Sequence, residues 1–469
     1  MAAAVIPAAL VGALALTIQA PATADRVVLR GLLLASGRWP AEASNLGPDT
    51  RIDYPYTSSP FVDYATYEAR FLEVDVERVS TFADDIAQEI GWRLLDHTGE
   101  PEVGAAEFKL WQEQDAEGIP LWIAAALRDR GVYYHGESLL SRSFDDWLHS
   151  GRGEAHLDCD LLAHLFSHVA WRLDLNIAEI PSASHAYVVY RPPVGVEAEP
   201  LYVETTNFRK IDADGRRIDY LGEGIGEDFF IDEGYHRSGR GGIRASRSFA
   251  QANRLYEPAD NRRLADMVVG NVTAGLAEVS ASGQTVREGI GPVEDVIRRE
   301  LLANLEGTHS YVIVNNLYSL LGQRASRALD AGDFAAVRTE AGEARRVRDG
   351  FEAQLVTREP KDLMLLANAA AGLGDSEAQR SAVAVFMAWY AEHTRMGSPP
   401  EATSGAHAEA LLAAAQLDPP PSPEGCEAAL GPVLRYGSRF NSVPWHARLC
   451  AFIQANPACS ALTEGAACP

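Results

Sequence analysis

A chain of 469 residues, 47% apolar and 23% charged, is long enough for two or three domains with full cores and is neither disordered nor fibrous in composition. Asp and Glu number 65 against 41 Lys and Arg, a net charge of -24. A surface of that sign repels the phosphates of nucleic acids and anionic lipids, which argues against either as a partner.

Residues 1–24 carry no charged side chain; Val5 to Ile18 is an apolar run and Ala22-Thr23-Ala24 an A-x-A cleavage site before Asp25. The pattern predicts a secretory signal peptide, too short to be a comfortable membrane span. The expected location is therefore periplasmic or extracellular, with no stable membrane insertion after cleavage. Residues 25–130 are expected to be a mostly helical region. Asp75 to Leu95 carries Val79, Phe82, Ile86 and Ile90 at helical spacing, and Leu121 to Arg130 reads as a second helix. The stretch holding Tyr54-Pro55-Tyr56 and Ser59-Pro60-Phe61 is given no element. Phe144 to Leu148 reads as a short helix leading into a Gly151-Arg152-Gly153 loop.

The chemistry concentrates between His156 and Asn207. Asp158 to Leu173 is helical, with Leu161, Leu162, Leu165, Phe166, Val169 and Leu173 at spacings of three and four. Asp158 suits the N-cap, which puts Cys159 at the first helical position, where the helix dipole favours thiolate over thiol. Ile177–Ile180, His185–Tyr190 and Leu201–Thr206 read as strands, the last two joined by a turn rich in Pro and Gly. Closure around residues 194–195 would set His185 opposite Glu204. A thiol, an imidazole and a carboxylate on three successive elements suit a nucleophile, its base and acid, and the group that orients the base, with Asn207 in reserve. The Cys159 amide is one oxyanion donor. Residues 208–250 are polar and Gly-rich and lack the G-x-x-x-x-G-K-[ST] pattern, so they read as loop.

Other readings compete for the same stretch. His164 and His168 are four apart, the spacing of a metal pair. At 100° per residue they point about 140° and 180° away from Cys159, and no H-E-x-x-H glutamate lies between them, so a structural pair is preferred. His156 reads as a loop residue before the cap in preference to a substrate or oxyanion contact, and Tyr133-Tyr134-His135 as cleft lining or a strand face. Asn271-Val272-Thr273 is a glycosylation sequon by pattern.

From Glu257 the chain turns helical, with Pro292 in the first turn of one helix. The turns Ala331-Gly332-Asp333-Phe334 and Ala371-Gly372-Leu373-Gly374-Asp375 lie between helix pairs and suggest packing of the tetratricopeptide or related kind, with a plain helical bundle as the alternative. Pro419 to Pro423 reads as a linker. Cys426, Cys450, Cys459 and Cys468 crowd the end and predict two disulfides in one of three connectivities, which leaves Cys159 as the odd thiol.

Asp158-Cys159-Asp160, Ser184-His185-Ala186-Tyr187-Val188 and Val203-Glu204-Thr205-Thr206 together resemble the transglutaminase-like superfamily, in the bacterial branch that joins such a core to a tetratricopeptide-like helical tail. The resemblance covers about 135 to 210, with the helical tail more loosely. It implies a papain-like α+β core with the cysteine helix packed on an antiparallel sheet, a triad of Cys159, His185 and Glu204, and amide chemistry as peptidase, amidase, deamidase or transamidase. The family more often has aspartate where Glu204 stands. The expected order is a signal peptide (1–24), a helical region (25–130), the catalytic core (131–250), a helical domain (251–417) and a linker with disulfide-rich tail (418–469). No metal or organic cofactor is required, and the expected partners are a protein or peptide substrate and a protein at the helical domain. The alternative is a catalytically inactive scaffold whose helical repeats bind protein.

Overall fold

The computed structural model describes residues 59–462 apart from 135–136, 145–152, 182–184, 194, 199, 204, 207–251, 256, 283–285, 288–289, 356–358, 396–404 and 438–444. The expected signal peptide, the loop at 208–250, Glu204, Asn207 and Cys468 lie outside the described residues. These are mostly helical with two small sheets, loosely compatible with an α+β class. The chain divides into two compact units, one ending at Asn316 and the other beginning at Leu317.

The first unit opens on α1 (Pro60–Glu68), capped by the Ser59 hydroxyl, which accepts the Val62 N–H, with proline at the first helical position. It is buried on nearly every side, so the Ser-Pro signal that the sequence reading passed over marks a core helix. α2 (Val76–Thr98) is capped by Asp75 and closed by Gly99 in the left-handed conformation; its predicted stripe of Val79, Phe82, Ile86 and Ile90 is wholly buried. α3 (Val103–Gln112) and α4 (Gly118–Asp129) pack on it. β1 (Val132–Tyr134) pairs in parallel with β2 (Ala155–Leu157), and the short α5 (Leu140–Ser143) lies between them in sequence. His156 is thus a strand residue opposite Tyr133, with its ring 6.1 Å away, rather than the loop residue expected. Phe144 is the C-cap of α5, and the rest of the short helix expected from Phe144 to Leu148 lies outside the described residues.

α6 (Cys159–Arg172) is the centre of this unit. It packs on α1 and α2 and on the sheet formed by β3 (Ile177–Pro181), β4 (Ala186–Tyr190) and β5 (Leu201–Val203). That sheet is antiparallel throughout, with β4 in the middle. The six apolar residues predicted for the buried face are fully buried, but so are Ala163, His164 and Ser167 on the rest of the helix. A helix enclosed all round must satisfy each of its polar side chains from neighbouring elements. β5 ends at Val203 and its partner register is Val188↔Val203, whereas closure at 194–195 would pair Val188 with Leu201. The slip is two residues, an even number, so side chains keep their faces. α7 (Asn261–Ser282) and α8 (Val293–Leu305) also belong to this unit, and α7 packs against α1.

The division falls within α9 (Tyr311–Asp330). In the second unit, α10 (Phe334–Phe351), α11 (Lys361–Gly372) and α12 (Ser376–Arg395) stack in succession. Gly332 and Gly374, in the two predicted turns, both have φ of 74°, a backbone that glycine adopts without penalty. α13 (Gly405–Leu417) packs against α14 (Pro423–Gly437), and the Pro419–Pro423 run is the turn between them. Cys426 of α14 is bonded to Cys459 in an apolar cluster with Leu412, Leu430 and Ile453 of α15 (Trp445–Ala455). Cys450 is disulfide-bonded as well.

Candidate active site

Asp158 stands in extended conformation before α6 and its carboxylate accepts the Leu161 N–H at 2.8 Å. This fixes the helix start and leaves Cys159 at the first helical position, half-buried and outside any disulfide. His185 immediately precedes β4 and is also half-buried. Cys159 and His185 line one cavity of about 160 Å³. Two of the three expected triad members therefore face a common space; the third, Glu204, lies outside the described residues.

Asp158 and Asp160 flank the thiol, and full negative charge on both would oppose a thiolate. Burial pushes both carboxyls above the usual carboxylate range, and at Asp158 the neighbouring Asp160 adds to the shift. Against burial at Asp160 work the charges of His164 and His185 and a hydrogen bond from the Asn271 amide at 2.6 Å. The acid pair is thus held toward its neutral form next to the helix N-terminus, where amides and dipole favour a thiolate.

The remaining wall comes from far along the chain. α7 contributes Arg263, Met267 and Asn271, spaced four apart on one stripe. His309 and Tyr311 add to it from just before and at the start of α9. Sequence reading missed this contribution. Asn271 was noted only within a sequon, yet its amide is engaged by Asp160 and Thr273 is fully buried with its hydroxyl on the Val269 carbonyl. An asparagine so placed in the middle of a helix offers nothing to a glycosyltransferase.

His164 and His168 serve the packing of α6. His164 Nδ1 lies 2.7 Å from Glu179 of β3, both side chains fully buried. Burial alone would lower the His164 pKa, but Glu179 and the two aspartates more than offset it, and the imidazole stays protonated to higher pH than usual. His168 bonds Ser59 through Nδ1 at 2.7 Å and Asp84 through Nε2 at 3.0 Å, and Arg172 reaches the same Asp84 oxygen at 2.7 Å. Each histidine has its own carboxylate, which makes them the structural pair preferred above. Among the described residues no group of three or more His, Cys, Asp or Glu is placed to hold a metal ion. No protein-family model matches the chain, and neither a characterised protein nor a solved structure does.

Proposed function

We propose that the protein performs cysteine-dependent amide chemistry, with Cys159 as nucleophile, His185 as general base and acid, and Glu204 as the carboxylate that orients the imidazole. The observation that carries this reading is the shared cavity of Cys159, at a helix N-terminus, and His185, at a strand start. The packing of α6 on an antiparallel sheet supports a papain/transglutaminase-like core. In the reaction His185 takes the thiol proton and the sulfur attacks the amide carbonyl carbon. The carbon–nitrogen bond breaks as His185 returns the proton to the leaving amine, and a thioacyl-enzyme forms. Water or a second amine then attacks the thioester carbon, giving a carboxylic acid or a new amide and restoring the thiol. The Cys159 backbone N–H stabilises the developing oxyanion.

The substrate under this reading is a protein or peptide, and the disulfide between Cys426 and Cys459 supports an oxidising, exported setting. The stacked helices of the second unit, with matching left-handed glycines at 332 and 374, favour an accompanying surface for a protein partner. The test is the pH dependence of alkylation at Cys159, read by peptide mass mapping, with Cys159→Ser as blank. An apparent pKa well below about 8.5, lost in His185→Ala, is the expected result. A thiol that titrates ordinarily in both proteins removes the enzymatic reading and leaves the helical unit as the seat of function.

A further inference from the structure

Arg263 stands in the wall of the same cavity with no part in that mechanism. It is only 4% exposed, yet its guanidinium is half used: Nη1 donates to the Glu257 carbonyl at 3.0 Å, while Nη2, closed off from solvent, has no hydrogen-bond partner among the described residues. A buried charged donor left unmade is costly, and an orphan of this kind calls for an explanation. The nearby acids do not supply one, because they are turned to other cations. Glu257 and Asp260 hold Arg254 at 3.0 and 2.7 Å, and Asp266 holds Arg262 at 3.2 Å. Asp260 meets Arg263 only through the backbone N–H, at 2.9 Å. Burial lowers the Arg263 pKa to about 10, which still leaves it fully charged at neutral pH.

We propose that Arg263 is a carboxylate anchor, so that the Cys159 cavity takes amide substrates whose acyl part bears a carboxylate. The inference rests on the thiol reading given above and adds the substrate class to it. A guanidinium presents a planar fork that matches a carboxylate. The N-terminus of α6 adds positive potential at the cavity. Asp160, the one acid among the described residues of the wall, is engaged by Asn271 and held toward neutrality by burial. A volume of about 160 Å³ is close to that of a cavity that holds benzene, so it suits one short acid-bearing group rather than a length of polypeptide.

Two alkylating agents of equal size test this on the full-length protein. Iodoacetate and iodoacetamide both let the Cys159 sulfur displace iodide from a CH2 group, forming the carbon–sulfur bond as the carbon–iodine bond breaks; only iodoacetate carries the anion. The readout is the ratio of the two rates at the Cys159 peptide, with N-acetylcysteine as reference. The ratio is expected to exceed the reference about tenfold, the scale of one charge-assisted hydrogen bond, and to fall to it in Arg263→Gln. A wild-type ratio equal to the reference overturns the anchor, as does a raised ratio that survives in a folded Arg263→Gln. Should that variant not fold, the wild-type protein decides. At matched ionic strength, sodium acetate is expected to slow iodoacetamide at Cys159 while acetamide does not, and equal effects of the two overturn the proposal. A thiol inert to both reagents sinks the enzymatic reading and the anchor with it. A reactive thiol without carboxylate preference sinks the anchor alone.

Discussion

The first unit buries ionisable groups at several points, and each is held by a specific neighbour rather than by solvent. Glu68 at the end of α1 is fully buried and accepts the backbone N–H groups of Leu140 and Ser141 at 2.7 and 2.8 Å, satisfying the first turn of α5. Burial pushes its carboxyl from 4.5 up to about 7, against the pull of those hydrogen bonds. Between these two values the unfolded chain has lost the proton while the folded chain still binds it, so stability falls as pH rises across that window and levels off above it. The shift corresponds to about 3 kcal/mol. Glu68→Gln should remove that slope while retaining an acceptor for α5. Urea-unfolding free energies of both proteins from pH 4 to 8 check this, and parallel profiles would refute it.

At the level of elements, the cavity depends on how closely α7 approaches the start of α9. A Cβ built on Gly270 would lie 2.6 Å from a Val312 methyl and 3.1 Å from its Cβ. Val312 lines the cavity, and the Asn316 amide donates to the Gly270 carbonyl at 2.9 Å. β-branched valine has little rotamer freedom with which to yield, so Gly270→Ala should push the two helices apart. The expected cost is about 1–3 kcal/mol, the usual range for overpacking, together with slower alkylation of Cys159 as its cavity distorts. Unchanged stability in thermal melts would mean that the contact relaxes freely. Helix starts were the most legible elements: Asp158 caps where its sequence predicts, because a cap needs only a side chain three residues from an orphan N–H, and the helix read from Asp75 begins at Val76 with Asp75 as its cap. The register of β4 with β5 was not legible, since the Pro-rich connection admits closures two residues apart that leave every side chain on the same face.

Across the whole molecule, the C-terminal helices are stapled rather than trailing. Cys426 and Cys459 are 33 residues apart, and closing a loop of that length contributes about 3–4 kcal/mol by the chain-entropy account. Reduction, or replacement of both cysteines by alanine, should lower the unfolding free energy of the second unit by that order. Proteolysis monitored under reducing and oxidising conditions reads it directly, and identical cleavage rates would remove the disulfide as a stabilising element. Local signals near Cys159 sufficed to nominate a thiol at a helix start and an imidazole at a strand start, because dipole, cap and strand alternation act over a few residues. They could not reveal that Arg263, Met267 and Asn271 complete the wall, for on its own that stripe reads as an ordinary helix face about 100 residues away. The amino-acid sequence by itself determined where Cys159 and His185 sit in their elements. Only the tertiary structure decided which distant side chains share their cavity, since that follows from the packing of α7 across elements whose contacts carry no short-range periodicity.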